Sequence, residues 1–246
     1  FIMSKDLVSF VQNLYKTKEY IPLHEPSLDE TDKTQLIKTI DSTFVSSVGP
    51  MVNEFEKKVS EFTDSKYAIA VVNGTAALHL SLDIIGVDEG DEVLTQSLNF
   101  IASTNAIHQC KASPVFIDVS KETLGMCPDS LSSFLENECT LTKEGCVNKK
   151  TKKIVKACIP MHTFGFPCSI DEIKEICTKF NIKIVEDAAE SLGSFADNKH
   201  TATFGDLGVF SFNGNKIMTT GAGGIIVTNN KKLAKLAKHL SLIHIS

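Results

Sequence analysis

Three features of the 246-residue chain predict an α/β fold built on a mostly parallel sheet sandwiched by helices. Short apolar runs rich in valine and isoleucine recur along it, amphipathic stretches of helical period lie between them, and several runs end in polar or glycine-bearing turns. Taken in order, LVSFVQNLY reads as a short helix and EYIPLHEPSLDE, which has no regular period, as an arm. Residues 1–30 are therefore expected to form an N-terminal helix and arm, and residues 31–246 one large domain. In that domain MVNEFEKKVSEF (51–62), TAALHLSLDII (75–85), NFIASTNAIHQC (99–110), SIDEIKEICTKF (169–180) and KKLAKLAKHL (231–240) have the spacing of half-buried helices. KYAIAVV (66–72), DEVLTQSL (91–98), SPVFIDV (113–119), KIVKACIPM (153–161), IKIVEDA (182–188), LGVFSF (207–212) and GGIIVTN (223–229) read as buried strands. The basic interruption TKEGCVNKKTKK (142–153) reads as a solvated loop or hairpin.

Bulk properties narrow the function classes. The chain is 42% hydrophobic and 22% charged, the balance of an ordinary soluble globular protein. A net charge of -5 gives no electrostatic reason to expect nucleic acid or an anionic membrane as partner. No run approaches the roughly 18 apolar residues of a membrane span, and FIMSKDLVSF lacks a signal-peptide pattern. The seven cysteines form no C-x-x-C pair, so reduced thiols and no metal site are expected, with the cytoplasm as compartment. The chain opens with Phe1 and Ile2 ahead of Met3 and closes on LIHIS after a helical pattern without a stop signal, which reads as a fragment.

Four segments at the ends of strands carry the chemistry. In VNGTAAL, Gly74 and Thr75 open a helix whose free N–H groups suit an anion, although a tight turn alone also explains the glycine. In LNFIAST, Phe100 follows a strand where its ring can cover a flat ligand; on its own it reads rather as core. In VEDAAESLG, Asp187 ends a buried strand, where a carboxylate needs a partner: a protonated ring nitrogen, a helix cap or Lys183. Glu190 is expected one helical turn further, near Asp187. In FSFNGNKIMTTGAGG, Ser211 can bind phosphate, Lys216 can reach a bound molecule, and the glycines allow close backbone approach. A phosphate, a flat ring, a protonated ring nitrogen and a carbonyl reactive toward an amine are together the properties of pyridoxal 5'-phosphate (PLP), with Lys216 forming a Schiff base.

At these residues the chain resembles the DegT/DnrJ/EryC1/StrS family of PLP-dependent sugar aminotransferases, and within it the LegC-type subgroup linked to legionaminic acid-like amino-sugar routes. The matching pieces are IPLHEP, DSTFVSSVGP, VNGTAALH, EDAAESLGSF, GVFSFNGNKI and TTGAGG. The resemblance implies an aspartate aminotransferase-type (fold type I PLP) large domain and a homodimer with active sites at the subunit interface. It implies that Lys216 carries the cofactor, Asp187 pairs with the pyridine nitrogen, Gly74, Thr75 and Ser211 bind phosphate, and Phe100 stacks on the ring. It further implies transfer of an amino group from glutamate to a nucleotide-linked 4-keto-6-deoxy sugar in surface polysaccharide biosynthesis. Glu190 departs from the glutamine or histidine of many relatives, Ala222 from their glycine or glutamate, and the small C-terminal domain of the family is missing. The rival readings are a Rossmann-type nucleotide-binding oxidoreductase, for which G-x-G-x-x-G is lacking, and a catalytically incompetent PLP-binding fragment.

Overall fold

The computed structural model describes residues 4–243; Phe1 to Met3 and the last three residues of the closing LIHIS lie outside the described residues. The helices are α1 (Lys5–Tyr15), α2 (Glu30–Asp41), α3 (Pro50–Thr63), α4 (Gly74–Ile84), α5 (Ile101–Gln109), α6 (Pro128–Glu138), α7 (Ile170–Lys179) and α8 (Lys231–Ile243). The strands are β1 (Tyr67–Val71), β2 (Glu92–Gln96), β3 (Ser113–Ile117), β4 (Cys139–Leu141), β5 (Cys146–Asn148), β6 (Val155–Ile159), β7 (Lys183–Asp187), β8 (Phe195–Ala196), β9 (Lys199–His200), β10 (Leu207–Ser211) and β11 (Gly224–Thr228).

Each of the seven apolar runs becomes a strand of one sheet, in the order β1-β11-β10-β7-β6-β2-β3. The pairs from β10 through β3 are parallel, and β11 alone runs antiparallel to its neighbours β1 and β10. Both faces of these strands are covered, so side chains of opposite parity enter different cores. Val93, Ala157, Val185, Val209 and Ile226 pack with α4, α5 and α8 on one face. Leu94, Cys158 and Ile184 meet α6 and α7 on the other, where Phe210, Ile225 and Val227 meet Val59 of α3. KKLAKLAKHL is accordingly a half-buried surface helix, with Ala234 and Ala237 on the core side.

The open edge of β1 is closed by a side chain. Glu56 Oε1 accepts the Ala70 N–H at 2.8 Å and also binds Lys238 Nζ at 2.7 Å, leaving that edge less able to recruit another strand.

The sequence reading passed over α2, α6 and the small hairpin β8–β9. The basic interruption is the tip and return of the first hairpin, with Cys139 and Cys146 buried beneath it. Neither α1 nor α2 has a buried residue, and Phe10, Leu14, Tyr15, Leu36, Ile37 and Ile40 remain exposed. Among the described residues no helix is long and apolar enough to cross a membrane.

Candidate functional site

In an open parallel sheet, ligands gather beyond the carboxyl ends of the strands. The ends of β1, β2, β6, β7 and β10 border a cavity of about 450 Å³. Gly74, Thr75, Phe100, Asp187, Glu190, Ser211 and Lys216 all line it, so residues spread over 143 positions of sequence meet at one place (216 − 74 + 1 = 143).

One end of the cavity is a small polar cup. Asn73 caps α4, its Oδ1 accepting the Ala76 N–H at 2.8 Å, while the first turn of any helix carries further N–H groups without intrahelical acceptors. Gly74 faces Ser211 closely enough that a Cβ would stand 2.9 Å from Ser211 Cβ. Gly224 of β11 meets the same helix start, where a Cβ would lie 2.4 Å from the Asn73 carbonyl carbon. The glycines of VNGT and TTGAGG thus let a helix N-terminus dock directly against β10 and β11, with a hydroxyl beside it. Such an arrangement suits an anion.

Asp187 ends β7 on the α5 face, and alternation sends its neighbour Glu186 to the opposite face. The Asp187 carboxylate is buried; its Oδ2 accepts from Ser103 Oγ at 2.6 Å and its Oδ1 from the Ala189 N–H at 3.2 Å. Burial raises its pKa, opposed by the Ser103 and Ala189 hydrogen bonds and by the charges of Lys216 and His162. The Lys183 alternative is overturned. Lys183 lies at the other end of β7, roughly 13 Å away by strand rise, and pairs with Asp206 at 3.1 Å.

Lys216 rides on the loop between β10 and β11. That loop is closed at its base by Phe212 N–H to Gly223 O at 2.9 Å and Thr220 N–H to Phe212 O at 3.0 Å. Lys216 Nζ reaches Glu190 Oε1 at 2.8 Å and stands 5.6 Å from the centre of the Phe100 ring. Glu190 is not one helical turn beyond Asp187: the chain leaves β7 in a tight turn, closed by Ser191 N–H to Ala188 O at 3.0 Å. A turn, unlike a helix, swings the Glu190 side chain toward the lysine. Nor is Phe100 core. It is 65% exposed where α5 begins, its ring part of the cavity wall.

Sequence reasoning missed three supporting groups, all joined by contacts across distant segments. Ser103 sits one turn into α5 and is fully buried on Asp187. Gln96 uses its amide as a clamp: Oε1 accepts from Met126 and Met161 N–H, and Nε2 donates to Thr163 Oγ1 at 3.0 Å. Glu186 gathers the N–H groups of Ala202, Phe204 and Gly205 together with His162 Nε2 at 3.1 Å. Burial opposes a charge on His162, while Cys168 and Glu186 favour one and push its pKa up to about 10. The Cys168 N–H nevertheless fills the Nδ1 lone pair at 3.3 Å, so a second proton requires that bond to be given up.

A family model described as the DegT/DnrJ/EryC1/StrS aminotransferase family matches residues 26–246. A GDP-perosamine synthase of Escherichia coli O157:H7 is 40% identical over 221 residues, covering 90% of this chain and 56% of that protein. Among solved structures, an aminotransferase from Psychrobacter cryohalolentis superposes with TM-score 0.78 at 32% identity, over 89% of this chain and 51% of its own. Spr1654 from Streptococcus pneumoniae, solved in a PLP form, superposes with TM-score 0.76 at 27% identity, over 91% and 58%. The chain thus spans about half the length of the proteins it matches.

Proposed function

The chain belongs to the DegT/DnrJ/EryC1/StrS aminotransferase family, and on that footing we propose that it carries the cofactor site of a PLP-dependent sugar aminotransferase. The reaction moves an amino group from glutamate to a nucleotide-linked 4-keto-6-deoxy sugar. Family membership removes the Rossmann-type oxidoreductase alternative, and β1 runs into VNGTAAL without G-x-G-x-x-G.

The observation that carries the reading is the pairing of two unsatisfied demands across one cavity. Asp187 is a buried carboxylate with no cation within ion-pair distance among the described residues, and a protonated ring nitrogen supplies one. At the other extreme, the Gly74–Ser211 contact leaves a cradle that a single Cβ would fill, beside a helix N-terminus suited to a phosphate. The residues present therefore fit PLP.

When bound, PLP supplies an aldehyde that reacts with amines and a ring that withdraws electrons. Asp187 would hold a proton on the ring nitrogen through a charge-assisted hydrogen bond, its carboxylate fixed by Ser103 and the Ala189 N–H. Gly74, Thr75 and Ser211, which line the cavity, would hold the phosphate, and Phe100 in the same wall would cover a face of the ring. Lys216 Nζ would be the amine that condenses with the aldehyde, water leaving, and when free it would take and return the proton that must move during transfer. Glu190 Oε1, at 2.8 Å, steadies that amine and can accept its proton.

The sugar class follows the family resemblance and agrees with the name of the 40% identical relative, a GDP-perosamine synthase. The LegC-type resemblance of EDAAESLGSF favours a legionaminic acid-like route. A homodimer is supported by the exposed apolar residues of α1 and α2, which have no buried position in the single chain. A cytoplasmic location fits the reduced cysteines.

The test is a panel of UDP-, GDP- and dTDP-linked 4-keto-6-deoxy sugars offered with glutamate and PLP. Formation of 2-oxoglutarate and an amino sugar is expected from the parent and not from Lys216→Ala. Equal turnover by both would overturn the proposal.

A further inference from the structure

Phe164 has the left-handed backbone conformation, with φ 54° and ψ 25°. Such a conformation is costly for a bulky residue without a returning contact. The core gives none, because the ring is 69% exposed and stacks on no other ring among the described residues. It lines the same cavity as Lys216.

The turn around it is held on every side. Thr163 Oγ1 donates to Leu124 O at 2.9 Å and accepts from Gln96 Nε2 at 3.0 Å. Ser194 Oγ donates to Gly165 O at 2.7 Å, and Phe166 N–H to Thr163 O at 3.0 Å. Gly165 lies so close to the Glu190 carbonyl that a Cβ would come within 2.8 Å of it. Phe164 is therefore fixed beside the residue whose carboxylate holds Lys216, in the wall of the same cavity. A strained turn secured by four separate contacts for the sake of one exposed ring is what preorganisation for a ligand requires.

We infer that Phe164 is a specificity-determining residue, a platform for the apolar C–H face of the sugar that accepts the amino group. This rests on the reading given under Proposed function. Rings of this kind, standing among a few placed polar groups, are typical of small-molecule sites. The deoxy carbon of such a sugar adds a methyl group, for which an aromatic surface is a better partner than water.

The test uses the full chain loaded with PLP and compares the parent with Phe164→Asn and Phe164→Tyr. Asparagine tolerates the left-handed backbone, so it removes the ring while leaving the turn intact; tyrosine restores the ring. Three quantities are read: covalent PLP capture, 2-oxoglutarate release from glutamate, and KM for the nucleotide sugar. Phe164→Asn is expected to raise that KM by about ten-fold or more while capture and 2-oxoglutarate release stay at the parent level, and Phe164→Tyr to behave as the parent. An unchanged KM in Phe164→Asn overturns the inference, as does loss of PLP capture in that variant, which would move the ring to the cofactor. Failure of the parent itself to capture PLP overturns the underlying reading instead.

Discussion

Asp187→Asn should stabilise the cofactor-free chain and at the same time loosen its hold on PLP. The side chain keeps its volume; one oxygen still accepts the Ala189 N–H, and the Ser103 hydroxyl can turn to accept from the new amide. What disappears is the charge. Burial raises the Asp187 pKa, so without cofactor this carboxyl binds protons more readily folded than unfolded. The stability it contributes therefore falls as pH rises from about 4 upward, and asparagine abolishes that fall. With PLP bound the sign reverses, because the carboxylate gains a cation. A hydrogen bond to a charged group contributes about 1.5–3 kcal/mol, so the variant should bind PLP about 10- to 100-fold more weakly. At a PLP concentration about a thousand times the parent Kd, ligand stabilisation of about 4 kcal/mol should fall to about 1.4–2.7 kcal/mol. Thermal unfolding across pH, with and without PLP, reads both effects. An Asn variant that is no more stable than the parent without PLP at neutral pH, yet equally stabilised by it, would refute the reasoning.

Two further substitutions probe the walls of the site. Gly74→Ala places a Cβ 2.9 Å from Ser211 Cβ, an overpacking that should cost about 1–3 kcal/mol and weaken PLP binding by filling the cup; unchanged affinity in a titration followed by absorbance would remove the phosphate assignment. Glu186→Gln turns one acceptor of a buried four-donor carboxylate into a donor facing the Ala202 N–H or the Phe204 and Gly205 N–H pair. Urea unfolding should show a loss of about 3 kcal/mol, and a loss below the scatter of the measurement would mean that the clamp does not hold the loop.

How much of this was legible in the sequence depends on whether the signal was local. The seven strands were, because β-branched runs such as KIV and GIIV buried on both faces leave an unbroken apolar trace. Helix α2 was not: ETDKTQLIKTID buries nothing, and its one signal is the capping box between Asp29 and Asp32. Helix α6 hides behind serines and acids, with Leu131 and Leu135 its only buried side chains and Pro128 its start signal. All seven candidate site residues line one cavity because each ends or follows a strand whose carboxyl end faces the same edge. Their partners were beyond reach. Nothing near Ser103 announces Asp187, 84 positions away, and the turn that brings Glu190 to Lys216 is written in the same EDAAES letters that read as a helix. Adjacent carboxylates at 186 and 187 look alike in sequence; only strand alternation tells the one that binds the 202–205 loop from the one that lines the cavity.

The most direct test is where PLP becomes attached. The full chain is incubated with PLP, reduced with borohydride and digested, and each lysine peptide is weighed. The peptide bearing Lys216 should carry the added pyridoxyl phosphate mass, and Lys216→Ala should carry it nowhere. Attachment at another lysine, or an unmodified Lys216 in protein that has bound PLP, would contradict the account.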